Sequence, residues 1–403
     1  MSTNEQPDAA RIEANAAAIA VNPVYENERL AELTHWGAPW ANLRVVVVGM
    51  GTSGDAVTDV LAQLGAHIVV IDGADTPEKR ERIEIYKNAY GNVEGLFGPE
   101  HMRALPLVDG QEPELVVTSP GVRPDHPVML DAYERRIQIW GDVELAWRLN
   151  ERSDRPTPKW LCLTGTNGKT TTVGMVDSIL KAAGKKSIQV GNVGMPIVYA
   201  IADDEPYEFF AVELSSFQLH WTYSMSPYAS VVLNIAEDHV DWHGSFDAYK
   251  ADKARVYEHT QVACIFNTDH VDTLRMVENA DVIEGARAIG FSSTEMPAVS
   301  MLGLAEDIMV DRAFLKNRYN EAYELAVLED LAPAPGKMPA KHTVENALAA
   351  AALCRAADID PKAVGAGLRS FKTGAHRNQL VGYANDIMWV NDSKATNPHA
   401  ANA

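Results

Sequence analysis

The 403-residue chain is poor in cysteine: Cys162, Cys264 and Cys354 are too few and too scattered for a disulfide framework or a zinc site. A reduced, cytoplasmic chain is the expectation. It also lacks a long apolar run. The strongest, around Val45–Val48, falls far short of the roughly 20 residues of a membrane span, so membrane insertion is not expected. The apolar stretch near the start is interrupted by Glu13 and preceded by Glu5 and Asp8, unlike a secretory signal with its basic start and unbroken core. Positive charge is in deficit, with 35 Lys and Arg against 55 Asp and Glu and a net charge of −20. That argues against a nucleic-acid partner held by bulk electrostatics, while leaving room for small anions bound by a few cations and helix N-termini. Repeats and low-complexity tracts are also missing. With 46% hydrophobic and 22% charged residues, the chain is globular rather than disordered or fibrous.

The length suits two to three domains. Residues 1–42 read as a polar N-terminal extension with an Ala-rich helix ending near Gly37. From Arg44 the pattern is strand, glycine turn, helix, with apolar residues at 57, 60, 61 and 64 and a second strand ending at Asp72. LVVTSP (115–120) is a further buried strand. Alternation of this kind predicts an α/β fold with a parallel sheet and crossover helices. The charged RSDRPTP stretch (152–158) reads as a linker before a second α/β unit, WLCLTGTNGKTTTVGMVDSILKAAG. Later strands are expected at 209–214 and 229–235, and a helix at 342–357. Residues 280–340 suggest only short strands and loops. A boundary is expected near Gly374–His376, after which IMWVNDSKATN resembles the opening strand and loop of a third domain. The expected domains are therefore 43–152, 153–374 and 375–403.

Four motifs carry chemistry. Gly49-Met50-Gly51-Thr52-Ser53-Gly54, between a strand and a helix and followed by Asp72 at the next strand's end, has the form of a dinucleotide-binding turn. Its glycines permit a tight turn and its helix N-terminus presents free N–H groups to an anion; a purely structural glycine turn reads equally well. Thr164-Gly165-Thr166-Asn167-Gly168-Lys169-Thr170-Thr171 is a compact P-loop, with Leu163 where the general form has its first glycine. Its amides suit a triphosphate, Lys169 the β/γ oxygens, and the Thr170 hydroxyl Mg²⁺, so ATP is the expected ligand. Glu213, ending the strand of AVELSSFQL, suits a Mg²⁺ ligand beside such a loop. His239, Asp241 and His243 match no common zinc spacing. A hydrogen-bonded turn, with His239 as a single ligand to a second divalent ion, is the economical reading.

Taken together, GTNGKTT, GNVGMP (191–196), ELSSFQL, NIAEDHVDWHG, YKADKARVY, HTVENALAA, GAHRNQ and NDSKATNP resemble the Mur ligase superfamily from Arg44 to Pro398. NDSKATNP is similar to the branch that adds D-glutamate, and not to those adding L-alanine, the third residue or D-Ala-D-Ala. The resemblance implies a Rossmann-like N-terminal domain holding the uridine diphosphate of UDP-N-acetylmuramoyl-L-alanine, a P-loop ATPase domain, and the start of a third Rossmann-like domain. Gly51, Thr52, Ser53 and Gly54 would lie on the diphosphate and Asp72 near the uracil. Ser119, Pro120 and Gly121 would form a further nucleotide-side turn. Gly165, Thr166, Asn167, Gly168, Lys169, Thr170 and Thr171 would bind ATP with Asn346, Arg377, Asp392 and Lys394. Asn192 would orient the substrate and Thr396 the amino acid.

The resemblance further implies that the substrate's alanyl carboxylate attacks the γ-phosphate of ATP, and that D-glutamate then displaces phosphate from the acyl phosphate. Lys169, Glu213, His239 and Lys253 are the implied catalytic residues. Thr170, Glu213, His239 and a carbamylated Lys253 would hold Mg²⁺. A carbamate requires a neutral amine, so burial and neighbouring cations must lower the lysine pKa from about 10.4; the alternative is a plain ammonium on phosphate. A monomer is expected. Because family members continue into a full C-terminal domain, the chain reads as a piece of a longer ligase, inactive alone. Two other readings stay open: an NAD(P)-dependent oxidoreductase resting on Gly49–Gly54, and a non-catalytic nucleotide-binding fragment.

Overall fold

The computed structural model describes residues 23–332, 337–372, 374, 379–384, 387–391 and 393. Of the expected site residues, Arg377, Asp392, Lys394 and Thr396 lie outside these.

The first sheet contains β1 (Arg44–Val48), β2 (His67–Asp72), β3 (Val93–Phe97), β4 (Leu115–Thr118) and β5 (Gln138–Gly141). All pairs are parallel, in the order β3-β2-β1-β4-β5. Val45 to Val48 are fully buried, as a β-branched run covered on both faces demands. The chain reverses direction across the sheet between β1 and β4, which places the glycine turn after β1 beside Ser119 after β4. Helix Thr52–Gln63 packs Val57, Val60 and Leu61 inward.

The segment ahead of Arg44 departs from the expectation of a separate extension. Residues 23–42 hold one short helix, Glu28–Glu32, and Leu30, Leu33 and Trp40 are buried in the first domain's core. Arg29 pairs with Glu114 at 2.8 Å and Trp40 meets Trp140 edge-on. The apolar residues of this stretch cover surface that the sheet would otherwise expose. The Ala-rich part of the segment falls outside the described residues.

The second sheet has nine strands in the order β14-β13-β12-β11-β10-β9-β6-β8-β7. They are β6 (Lys159–Thr164), β7 (Ser187–Gly191), β8 (Phe209–Glu213), β9 (Ala229–Val232), β10 (Ala263–Asn267), β11 (Arg287–Phe291), β12 (Met301–Ala305), β13 (Ile308–Asp311) and β14 (Tyr323–Val327). From β7 to β12 the pairing is parallel, and β12-β13-β14 close the edge antiparallel. The described part of 280–340 holds short strands and loops, as expected, and its strands β11 to β14 extend the main sheet. Its strands are four or five residues long and one carries a register shift at Met309/Val310, which blurs the alternation a sequence reading relies on.

Helices Lys169–Ala182 and Lys341–Ala356 cover one face of this sheet, with Ala347 and Ala349 to Ala352 fully buried. Small side chains there let the helices approach closely. IMWVN is a strand, as expected, but Ile387–Asn391 is the second strand of a hairpin with Gln379–Ala384 rather than the first of its unit. No helix among the described residues is long and apolar enough to cross a membrane.

Candidate active site between the two sheets

The P-loop sits where its strand dictates. Thr164 ends β6, Leu163 is level with Glu213 of β8, and Thr164 is level with Val232 of β9. The carboxyl ends of three parallel strands therefore surround the loop. Gly168 has φ +85° and opens helix Lys169–Ala182. A Cβ there would meet Asn346 Oδ1 at 2.3 Å, so glycine is needed both for the left-handed backbone and for the close fit of Asn346. The loop is pinned from below: Asn167 N–H donates to Asn234 Oδ1 at 2.9 Å and Asn234 Nδ2 donates back to the Asn167 carbonyl at 3.1 Å. Thr166 Oγ1 bonds the Tyr249 hydroxyl at 2.9 Å and accepts from Ala236 N–H. Thr170 and Thr171 occupy the first helical turn, half-buried. Lys169 Nζ curls onto the Gly165 and Thr166 carbonyls at 2.9 and 3.0 Å.

Glu213 is buried at the tip of β8. Its Oε1 accepts from Asn192 Nδ2 at 2.9 Å, while Oε2 has no hydrogen-bond partner among the described residues. A buried carboxylate oxygen left unpaired is costly, and a hard cation beside the P-loop is the group that fits it. Lys253 is buried on helix Phe246–Ala254, its Nζ donating to the Gly165 carbonyl at 2.9 Å and to Thr164 Oγ1 at 3.2 Å. Burial, then the Lys169 ammonium, drive its pKa well below the usual lysine value against the pull of Asp238, Glu213 and Asp252. His239 precedes a one-turn helix with φ +52°, an uncommon conformation for a non-glycine residue, and packs on Phe217. Burial, and secondarily Lys253, His243 and Lys169, lower its pKa; Asp238 opposes them. The structure thus brings Lys169, Glu213, His239, Lys253 and Asn346 to one end of the second sheet.

His243 does not join a metal cluster. It is buried, with Nδ1 on Asp252 Oδ2 at 2.8 Å and Nε2 on Ser216 Oγ at 3.0 Å, and His220 Nδ1 reaches the same Asp252 oxygen at 2.9 Å. Asp241 is exposed. Among the described residues no three His, Cys, Asp or Glu side chains gather around a metal position. Burial works to raise the Asp252 carboxyl, but the two histidines and Arg255 outweigh it and hold it at about 2.

The first sheet's turn faces the same region. Thr52, Ser53 and Pro120 share a cleft of about 190 Å³ with Gly191, Asn192 and Gln218 of the second domain. Gly51 and Gly121 are exposed at its side. Ser119 Oγ donates to the Gly49 carbonyl at 2.9 Å and so braces the turn. Gly54 lies so close that an added Cβ would meet the Gly49 carbonyl oxygen at 1.9 Å. Asp72 is occupied in the fold: it accepts from Met50 N–H at 2.7 Å and Ala74 N–H at 2.8 Å and pairs with Lys79 at 2.6 Å. Burial tends to raise its pKa, yet these donors keep it below the usual carboxylate value. Sequence reasoning quoted Asn234, Tyr249, Gln218 and Asp252 within its motifs but gave them no role, and it missed Asp142 and His220. Their signal is weak in sequence because each acts by meeting a distant segment.

The family model "Mur ligase middle domain" matches residues 163–354, and "Mur ligase MurD-like, N-terminal domain" matches residues 43–141. A UDP-N-acetylmuramoylalanine--D-glutamate ligase of Leifsonia xyli is 46% identical over 93% of this chain and 73% of its own length. The protein of that name from Streptomyces avermitilis is 45% identical over 90% and 74%. The chain belongs to the Mur ligase family. In fold, this Mur ligase is similar to UDP-N-acetylmuramate:L-alanyl-gamma-D-glutamyl-meso-diaminopimelate ligase from Neisseria meningitides. The TM-score is 0.50 at 15% identity, covering 83% of this chain and 99% of that one.

Proposed function

We propose that this Mur ligase joins D-glutamate to UDP-N-acetylmuramoyl-L-alanine at the expense of ATP, as a cytoplasmic monomer in peptidoglycan precursor synthesis. The observation that carries the reading is the shared cleft: the glycine turn of the first sheet opens onto Asn192, one hydrogen bond from Glu213 beside the P-loop. A nucleotide-linked acceptor held by the first domain can thereby present its far end to a triphosphate held by the second. The names of the relatives supply the identity of that acceptor and of the amino acid.

In this reading the alanyl carboxylate oxygen attacks the γ-phosphorus, the bond to the ADP oxygen breaks, and an acyl phosphate remains. The neutral amine of D-glutamate then attacks the acyl carbon, phosphate departs with the former carboxylate oxygen, and the amine loses a proton. Lys169 leaves its two loop carbonyls and takes up phosphate oxygens as the backbone amides of the loop cradle the chain. Asn192 orients the acceptor and Asn346 flanks the loop. Thr170 and Glu213 would hold one Mg²⁺, and His239 with a Lys253 carbamate a second; bound there, the ions neutralise phosphate charge. Lys253 is suited to carbamylation because its lowered pKa supplies the neutral amine that adds to CO₂ with loss of one proton. Asp72 secures the turn from behind and contributes to the uridine side. Arg377, Asp392, Lys394 and Thr396 are assigned to ATP and amino acid by resemblance.

The test is ADP release with UDP-N-acetylmuramoyl-L-alanine across D-glutamate, L-alanine, meso-diaminopimelate and D-Ala-D-Ala. Release with D-glutamate alone supports the reading. Release with another amino acid, or tight NADH binding with no ADP release, overturns it.

A further inference from the structure

One buried carboxylate, behind the cleft residues Ser53 and Gln218, has no part in the mechanism above. Asp142 follows β5 directly, at the first position of helix Asp142–Leu149, and is 3% exposed. Its Oδ2 accepts from Ser53 Oγ at 2.9 Å and from Gln218 Nε2 at 3.3 Å. Ser53 lies in the glycine turn of the first domain. Gln218 belongs to the second, where its Oε1 accepts from Ser215 N–H in the capping box of helix Ser216–His220. That helix begins three residues after Glu213. A second carboxylate, on the helix of Asp142, reinforces the joint: Glu144, with no exposed surface, accepts from the backbone N–H groups of Tyr223 and Ser224 at 3.0 and 2.9 Å.

We infer that Asp142 is a positioning residue that locks the phosphate-facing turn of the first domain to the strand end carrying Glu213, and so sets where the nucleotide-linked acceptor lies relative to ATP. The inference rests on the proposed function. The physical argument is one of tolerance. The two anion sites lie on separate sheets, and transfer between them demands placement to within about 0.5 Å. Apolar packing between domains can slide by that much, whereas a buried carboxylate with both donors in place cannot move without leaving polar atoms unpaired. Ser53 and Gln218 both line the cleft and both donate to Asp142, so the Ser53 hydroxyl of the glycine turn is oriented before the diphosphate arrives.

The test is calorimetric binding of UDP-N-acetylmuramoyl-L-alanine and, separately, of an unhydrolysable ATP analogue to the full chain. The variants are Asp142→Asn, which keeps size and one acceptor oxygen, Ser53→Ala and the double variant. The expected result is a Kd for the UDP compound raised about tenfold in either single variant, with no more than about twofold further loss in the double, because one coupled unit is broken once. The ATP-analogue Kd should stay within about twofold. In turnover the KM for the UDP compound should rise while that for ATP does not. Unchanged UDP-compound binding in Asp142→Asn, equal losses for both ligands, or fully additive losses in the double variant would each overturn the inference alone. Failure of the unaltered chain to bind the UDP compound would overturn the functional reading and this inference with it.

Discussion

The two strand–glycine turn–helix units use one backbone device for two purposes. Both follow a buried parallel strand, both open a helix, and both turn unsatisfied amides toward the carboxyl edge of a sheet. What surrounds them differs. The turn at Gly49–Gly54 is braced by neutral or anionic groups, Ser119 and Asp72, and carries no lysine. The loop at Gly165–Thr170 has Lys169 folded over it, the buried Lys253 beneath it, and Glu213 with an unpaired oxygen beside it. The first arrangement can hold an anion. The second can also stabilise charge that moves during a reaction.

That contrast can be broken by substitution. Lys169→Ala should cut ADP release by on the order of 10²–10³-fold, as loss of a pre-placed charge at a transferring phosphoryl group does. Binding of the UDP compound measured by calorimetry should hold steady; a variant with near-normal turnover would make the two turns equivalent. Lys253→Ala should lower turnover about 100-fold, with partial recovery in short carboxylates that replace the carbamate. The pH dependence carries the sign. A lysine with a lowered pKa is neutral well below pH 10, so bicarbonate should activate the native enzyme near neutrality, and activation confined to pH above about 10 would favour a plain ammonium.

Gly54→Ala attacks the other turn. Its Cβ meets the Gly49 carbonyl, so affinity for the UDP compound should fall about tenfold or more, at least about 1.4 kcal/mol, while the ATP analogue binds normally. The last effect is on stability rather than on ligand binding and concerns Asp252, the neighbour of Lys253 on its helix. Asp252 is held at about 2 against an ordinary 3.8, which corresponds to about 2 kcal/mol of stability. With the folded pKa depressed, that contribution is present above the ordinary value and disappears as pH falls through about 2. Asp252→Asn should therefore lower the melting temperature at pH 7, and the gap to the native protein should close on acidification below pH 4.

Local signals in the chain itself determined much of this. The Val45–Val48 run, the glycine spacing at 49–54 and the GTNGKTT stretch specify strands, turns and helix starts through contacts a few residues apart. Even the positions of Lys169 and Glu213 are legible, since each sits at the end of an element whose direction the pattern predicts. Tertiary structure alone decided the rest. Residues 23–42 look detachable until Leu30, Leu33 and Trp40 are seen in the core, and β12 to β14 have too little alternation to be read before they join a sheet. Asp142 is an ordinary residue after a strand until Ser53 and Gln218, 89 and 76 positions away, meet on its carboxylate. The physical reason is the range of the cause: propensity and periodicity act between neighbours, whereas burial of a charge and the pairing of its oxygens depend on segments that only folding brings together.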